Sequence, residues 1–393
     1  MNRALHDLVA RVHAAPARLV YDFAGAGVQA LAWLHAVAGS SRTVLEAVDR
    51  YADASLAEGV GGPVAQSVAP EVAAALATRA RSRARALAGP GEAVLGVACT
   101  ATIATDRAKR GAHRAWVATA DGLGVRLYGL VLTKGARDRA SEEELVSALV
   151  LRAVADASGV LQVPPLALIG DERVERAFRA GSELEAFADG RRPLLAVDVH
   201  GEPVDALPWP VGGGAVVSGS FHPLHDGHLG LAAAAQRHLG RPVAFELAVA
   251  NADKPTIDLD EAHRRATQFA GRAPLLLTRA PRFDAKAALL PGVVFVVGAD
   301  TAARVLEGRF YADDAGLAVA FDALRASGGR FLVAGRRSAE RFLTLADLDV
   351  PATHADLFEV LPEAAFRADV SSTEIRAAWD GAEGRAIGGG GGA

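Results

Sequence analysis

The stretch Val217–Leu229 reads VSGSFHPLHDGHL and carries His222, His225 and His228 with Gly219 and Gly227. It follows a short run of small apolar residues, AVVSGS, and precedes LGLAAAAQRHLG, whose apolar residues recur at helical spacing and stop at Gly240. The three histidines therefore fall between the carboxyl end of a strand and the start of a helix. In an open parallel α/β sheet that is where ligands bind. Gly219 and Gly227 let backbone approach a ligand closely, and a helix start offers free N–H groups to an anion. A metal reading does not hold. The spacing i, i+3, i+6 cannot place all three rings on one helical face, and no cysteine or His–Glu pair stands nearby to complete a zinc set. A phosphate site does fit, since imidazoles beside a helix start can donate to a phosphoryl oxygen that gains charge.

The surrounding pattern places this turn in its fold. From 213 to 385 apolar runs (AVVSGS, PVAFELAVA, PLLLTRA, VVFVVGAD, RFLVAGR, LFEVLP) alternate with helix-like runs (HLGLAAAAQRHL, DLDEAHRRATQFA, 301–327). Near-continuous apolar strands separated by helices predict a parallel sheet covered on both faces. Residues 1–160 show a second α/β unit. Its strand-like runs include AVLGVACTATI, HRAWVATA and VRLYGLVLT, and its helix-like runs include PEVAAALATRARSRARALAG and SEEELVSALVLRAVADASG. Ser141 and Glu144 form a capping-box pattern for the second of these helices. Residues 161–212, charged and then punctuated by proline, read as a partly helical connector, and 386–393, GGGGGA at its end, as a flexible tail.

Bulk properties bound the rest. A chain of 393 residues has room for two domains. With 51% hydrophobic and 22% charged residues it reads as globular, and a net charge of −4 gives no global basic field for nucleic acid. The single cysteine, Cys99, excludes an internal disulfide and fits a reducing, cytoplasmic setting. The apolar run Leu19–Gly39 contains Asp22 and His35, so it reads as a buried strand and helix rather than a membrane span. No secretory signal is expected at the N-terminus.

GSFHPLHDGH resembles the signature turn of the nucleotidylyltransferase superfamily, Gly-(Ser/Thr)-Phe-x-Pro-x-(His/Thr)-x-Gly-His. On that resemblance His225 and His228 take its two functional positions, and Gly219, Ser220, Phe221 and Gly227 belong to the nucleotide site. His222 departs from it, standing where the family often has Asp or Asn. Class I aminoacyl-tRNA synthetases share a similar turn, so a second motif is needed. VSSTEIRAAW, residues 370–379, resembles the (Ile/Val)-Ser-Ser-Thr-x-Ile-Arg motif at a late helix start of the adenylyltransferases, and no KMSKS-like segment is present. Ser371 with Glu374 makes a capping box there. The resemblance implies that Ser371, Ser372 and Thr373 face the nucleotide phosphates and that Arg376 is a forked cation beside them. It also implies that Asp300, in FVVGADT, contacts ribose or acceptor. Asn251 and Lys254, in NADKP, fall on a loop over the acceptor, and Gly335–Arg336 fall where base or phosphates are held. The implied reaction moves AMP or CMP from a nucleoside triphosphate to a phosphate-bearing acceptor, a pyridine mononucleotide of NAD metabolism first. Mg²⁺ would be carried mainly by the triphosphate. A cytidylyltransferase acting on a phospho-alcohol or sugar phosphate, and a non-catalytic nucleotide sensor, are the alternatives.

Residues 18–160 resemble a diverged CinA C-terminal domain, the nicotinamide-nucleotide amidase family. The landmarks are AVAGSS (36–41), Tyr51, VAQSVAPEVAAALA, VACTATIAT and GARDR (135–139). Ala24 stands where that family's serine nucleophile would, and Leu56 where its lysine would. Without nucleophile and base, no amidase chemistry is expected. Gly25 and Gly27 could cradle a phosphate, TDRAKRGAHR (105–114) reads as a basic solvated loop, and a homodimer through this unit is the expected assembly.

Overall fold

The structure, a computed structural model, describes residues 1–106, 110–210, 213–250, 256–311, 313–338 and 341–367. The chain divides into two compact units. The first comprises Met1–Ala186, Val199–Pro203 and Ala266–Arg272; the second comprises Phe187–Asp198, Val204–Arg265 and the chain from Ala273.

In chain order the first unit holds α1 (Arg3–Ala14), β1 (Arg18–Ala24), α2 (Val28–Ala36), α3 (Ser40–Thr43), β2 (Val44–Asp49), α4 (Asp53–Val60), α5 (Pro70–Leu87), β3 (Val94–Thr102), β4 (His113–Ala120), β5 (Gly124–Leu132), α6 (Arg139–Ala157) and β6 (Val174–Ala180). The strands form one sheet in the order β2-β1-β3-β4-β5-β6, parallel at β2-β1-β3 and antiparallel beyond. Strand alternation sorts side chains to two faces. Tyr21, Phe23, Val97 and Cys99 join the core with α1, α2 and α6, while Ala98 and Ala118 meet the alanines of α5. The helix comes so close that a Cβ on Gly96 would stand 1.9 Å from the Ala77 carbonyl oxygen. The run Leu19–Gly39 is β1 and α2, and no helix among the described residues is long and apolar enough to cross a membrane.

Two expectations change here. The helix expected to start at a Ser141–Glu144 box begins earlier, with Asp138 as N-cap accepting from the Ser141 N–H. A short acid side chain three residues upstream reaches the same donor, and the helix gains most of a turn. The stretch 161–212 is not a plain connector. β6 pairs antiparallel with β5, and Arg176 lies over the Tyr128 ring, 5.8 Å from its centroid. Its charged row faces solvent as an edge strand's does, which mimics a charged helix in sequence.

After α7 (Ser182–Ala188) the second unit has β7 (Leu194–Val197), β8 (Pro203–Val204, on the boundary), β9 (Ala215–Ser218), α8 (Asp226–Leu239), β10 (Val243–Ala248), α9 (Leu259–Ala266), β11 (Leu275–Thr278), α10 (Phe283–Leu289), β12 (Val294–Gly298), α11 (Ala299–Val305), α12 (Asp314–Ala326), β13 (Arg330–Ala334), the hairpin β14 (Arg336–Ser338) and β15 (Arg341–Leu343), and β16 (Phe358–Leu361). The sheet order is β16-β13-β12-β9-β10-β11-β7-β8. The six strands from β11 to β16 along this order are mutually parallel. Numbered by their own succession they run 3-2-1-4-5-6, a doubly wound sheet whose connections reverse direction between β9 and β12. One face is closed by a phenylalanine layer in which Phe331 stacks on Phe358 at 4.9 Å and Phe283 sits edge-on to Phe295 at 5.0 Å. Both units are α/β, as the sequence pattern predicts.

Gly96→Ala should cost the first unit about 1–3 kcal/mol or more, the range for overpacking against a fixed neighbour, because the neighbour is helix backbone that cannot swing aside. Urea unfolding followed by circular dichroism would measure it.

Candidate active site

The turn 219–225 leaves the C-terminal end of β9, at the point where the sheet reverses, and enters α8. Its shape is set by Phe221. That residue has φ of 45°, is 1% exposed, and puts its ring edge-on to His228 at 5.1 Å and to Phe245 at 5.3 Å. The ring occupies the space a side chain at 219 would need: a Cβ on Gly219 would stand 2.8 Å from it. The glycine is thus a packing requirement of the turn. The His222–Pro223 peptide is cis. His225 caps α8 in extended backbone, with Asp226 and Gly227 in the first turn and Gly240 in left-handed conformation at the other end.

The rings of His225 and His228 stack with centroids 3.7 Å apart and planes inclined by 25°. The His225 backbone N–H donates to His228 Nδ1 at 3.3 Å. That bond requires an unprotonated Nδ1, so the neutral His228 ring carries its proton on Nε2. Both ring nitrogens of His225 are buried and make no hydrogen bond. Burial first, then the neighbouring His225 ring and the Arg336 charge, press the His228 pKa down to about 3. Burial and Arg336 lower His225 as well, with Asp226 opposing. Two neutral, stacked imidazoles result.

A cleft of about 830 Å³ opens over these strand ends. Its lining includes Gly219, Ser220, Phe221, His222, His228 and Asp300, and also Arg265, Arg282, Lys286, Arg304 and Arg336. Asp300 is the one carboxylate among these lining residues, against five cations. It lies in the first turn of α11, with Gly298 as N-cap, and faces Arg336 Nε at 3.6 Å. Arg265 donates to the Ser220 carbonyl at 3.1 Å and pairs with Glu261 at 2.7 Å, while its Nη2 lies 3.4 Å from His222 Nδ1. Arg282 lies over Tyr311 at 5.4 Å. Such a lining suits a polyanion.

The structure therefore gathers Gly219, Ser220, Phe221, His228 and Asp300 on one cleft, with His225 stacked behind His228 and Gly227 in the same helix turn. Ser371, Ser372, Thr373, Arg376, Asn251 and Lys254 lie outside the described residues. Sequence reading overlooked Arg265, Arg282, Lys286 and Arg304. Lys286 had a signal, a lone lysine in the apolar helix run FDAKAAL; the arginines, spread over separate helices, had none.

In the first unit the Gly25–Gly27 turn is filled from within. The Glu143 carboxylate accepts the N–H groups of Gly27 at 2.9 Å and Gln29 at 3.1 Å, the donors a phosphate would use. A Cβ on Gly25 would stand 2.0 Å from the Ala101 carbonyl oxygen. Leu56 is buried, and burial holds the Cys99 thiol far above its ordinary range. His113 starts β4, as the strand-like run HRAWVATA predicts, and is buried against Glu142 at 2.8 Å rather than solvated with the basic loop.

No protein-family model matches this chain, and no curated protein matches it. Among solved structures it is similar to the competence/damage inducible protein CihA of Agrobacterium tumefaciens, at 18% identity over 41% of this chain and 98% of that one, with a TM-score of 0.33. It is similar to an Escherichia coli protein of the competence-damaged protein (CinA) superfamily at 22% identity, over 38% and 87% of the two chains, TM-score 0.28. A Klebsiella pneumoniae member of that superfamily gives 16% identity over 41% and 100%, TM-score 0.31. The structural neighbours are thus competence-damage-inducible proteins over about 40% of the chain, and likeness at this level carries no inference about activity.

In the unfolded chain the His228 ring would titrate near its ordinary 6.5, whereas in the folded protein it stays neutral down to about 3. Between those values the unfolded chain binds a proton that the folded one does not, so the contribution to stability is whole above pH 6.5 and is lost on acidification. His228→Asn should flatten the fall of the melting temperature between pH 6.5 and 4. An identical slope in both proteins would show that the ring is not held neutral.

Proposed function

We propose that the second unit is a nucleotidylyltransferase. It transfers AMP or CMP from a nucleoside triphosphate to a phosphate-bearing acceptor and releases pyrophosphate. The observation that carries this reading is the stacked, neutral His225–His228 pair beside a cleft lined by five cations, at the reversal point of a doubly wound sheet. The acceptor phosphate attacks the α-phosphorus in line, that P–O bond forms, and the bond to the bridging oxygen of pyrophosphate breaks. No covalent enzyme intermediate is involved.

The residues divide the work. The turn Gly219–Phe221 and the start of α8 at Gly227 cradle the triphosphate. His228 Nε2–H donates to the phosphoryl oxygens as negative charge grows on them, and Arg336 adds a fixed positive charge. His225, whose ring nitrogens have no internal partner, takes the same role when the triphosphate is bound. Asp300 receives ribose hydroxyls. Asn251 and Lys254 meet the acceptor. Ser371, Ser372, Thr373 and Arg376 meet the β- and γ-phosphates. Packing at the last described residues supports that last assignment. Phe366 packs on Gly230, its ring 3.2 Å from where a Cβ there would stand, two residues beyond His228.

Mg²⁺ fits as a companion of the triphosphate. No cluster of His, Cys, Asp or Glu among the described residues could hold a metal, and one cleft carboxylate suits an ion that keeps most of its ligands from phosphate and water. Bound there it would offset charge on the transferring phosphate. A pyridine mononucleotide of NAD metabolism is the acceptor we favour, on the motif resemblance. The first unit, with Ala24 and Leu56 at the nucleophile and base positions and Glu143 in its glycine turn, does no amidase chemistry and serves binding or assembly.

A pyrophosphate-release assay crossing ATP and CTP with nicotinamide mononucleotide, nicotinate mononucleotide and phospho-alcohols tests the reaction. His228→Ala should lower turnover by about 100-fold, as loss of one oxyanion donor does. A near wild-type rate would falsify the assigned role.

A further inference from the structure

The face of the second sheet that carries the phenylalanine layer ends in a polar row at the cleft. Ser218 and Glu246 are register partners on neighbouring parallel strands, and Thr278 follows on β11. Glu246 is fully buried. One of its oxygens accepts the Thr278 hydroxyl, and the other accepts Lys286 Nζ at 2.8 Å. Lys286 comes from α10, lines the cleft, and sits 4.8 Å from the centroid of the Phe283 ring. Ser218 also lines the cleft; its Oγ is buried and makes no hydrogen bond.

Two features of this row are costly to the fold alone. Burying an ion pair rarely stabilises more than apolar packing of the same volume. A buried hydroxyl without a partner costs about 1–3 kcal/mol. Ser218 and Lys286 both sit on the wall of the cation-lined cleft. One bond to Glu246 leaves two of the three ammonium donors of Lys286, and Ser218 Oγ supplies a further donor.

We infer that Lys286 and Ser218 form the subsite that grips the acceptor's phosphate monoester, and that Glu246 is a positioning residue that pins the Lys286 ammonium in place. This rests on the nucleotidyl-transfer reading. The buried carboxylate offsets part of the lysine charge, so the subsite holds one phosphate group without competing for the triphosphate. Thr278 completes the positioning by fixing the other oxygen of Glu246.

The test uses the full-length protein, titration calorimetry, and two probes: ribose 5-phosphate for the subsite and Mg-ATP or Mg-CTP for the histidine turn. Ser218→Ala should weaken ribose 5-phosphate about tenfold, the scale of a lost hydrogen bond to a charged group. It should leave the melting temperature equal or higher, because the hydroxyl has no internal partner to lose. Lys286→Met should abolish ribose 5-phosphate binding, and Glu246→Gln should weaken it. Triphosphate affinity should stay within about twofold in all three, whereas a purely structural role for Glu246 would lower both affinities together. Wild-type affinity for ribose 5-phosphate in Ser218→Ala and Lys286→Met overturns the inference, and Ser218→Ala decides alone if Lys286→Met does not fold. A wild-type protein that binds the triphosphate but not ribose 5-phosphate overturns the subsite only. One that binds neither triphosphate overturns the nucleotidyl reading and the subsite with it.

Discussion

The second unit depends on a constraint of parallel sheets. Strands β9 and β12 are neighbours, yet their connections run to opposite sides of the sheet. No connection then covers their C-terminal ends, and a crevice opens there without any side chain having to move. Every group of interest reaches the crevice from an adjoining element: the histidines from the β9–α8 turn, Asp300 from the start of α11, Arg336 from β14 and Lys286 from α10. Chain segments more than a hundred residues apart meet because the strand order puts their ends side by side.

The crevice also gathers polar groups that are costly to bury. Two stacked imidazoles stay neutral under burial and the Arg336 charge. A hydroxyl has no partner, and a lysine and a glutamate are buried together. Apolar residues of similar volume would fill the same positions at lower cost. Such departures from local economy concentrate at binding sites, where a ligand supplies the missing partners.

Much of this was legible in the chain, and the reasons are specific. Short uninterrupted runs rich in β-branched and aromatic residues, such as VVFVVG, read as strands buried on both faces, and the glycine and histidine spacing of the 219–228 turn reads as a strand-to-helix junction. Within the charged stretch the helix α7 agrees with the partly helical reading, but 174–180 was not legible as a strand, because an edge strand with one exposed row and an amphipathic helix have similar compositions; β6 is decided by pairing with β5. Within the site, motif residues were found and partners were missed. The Arg265 bond to the Ser220 carbonyl and the Lys286 contact with Glu246 join residues about 40 positions apart, and nothing local marks either end. The burial of His113 was missed for the same reason, since its partner Glu142 lies on a helix 29 residues on.

The first unit shows the opposite use of a similar device. It too has a glycine turn leading from a strand into a helix, with free N–H groups at the helix start. There the anion is internal. Glu143, from α6, takes the Gly27 and Gln29 donors and also accepts the Ser147 hydroxyl at 3.0 Å. Tyr21 closes the turn from beneath by donating to the Gly27 carbonyl at 3.0 Å. A turn whose donors are satisfied by the protein's own carboxylate stabilises the fold, by charge against the helix dipole as well as by hydrogen bonds. In the turn of the second unit the His225 ring nitrogens have no hydrogen-bond partner within the protein. The two turns share a sequence grammar, and they differ in that a carboxylate of the chain fills the first one.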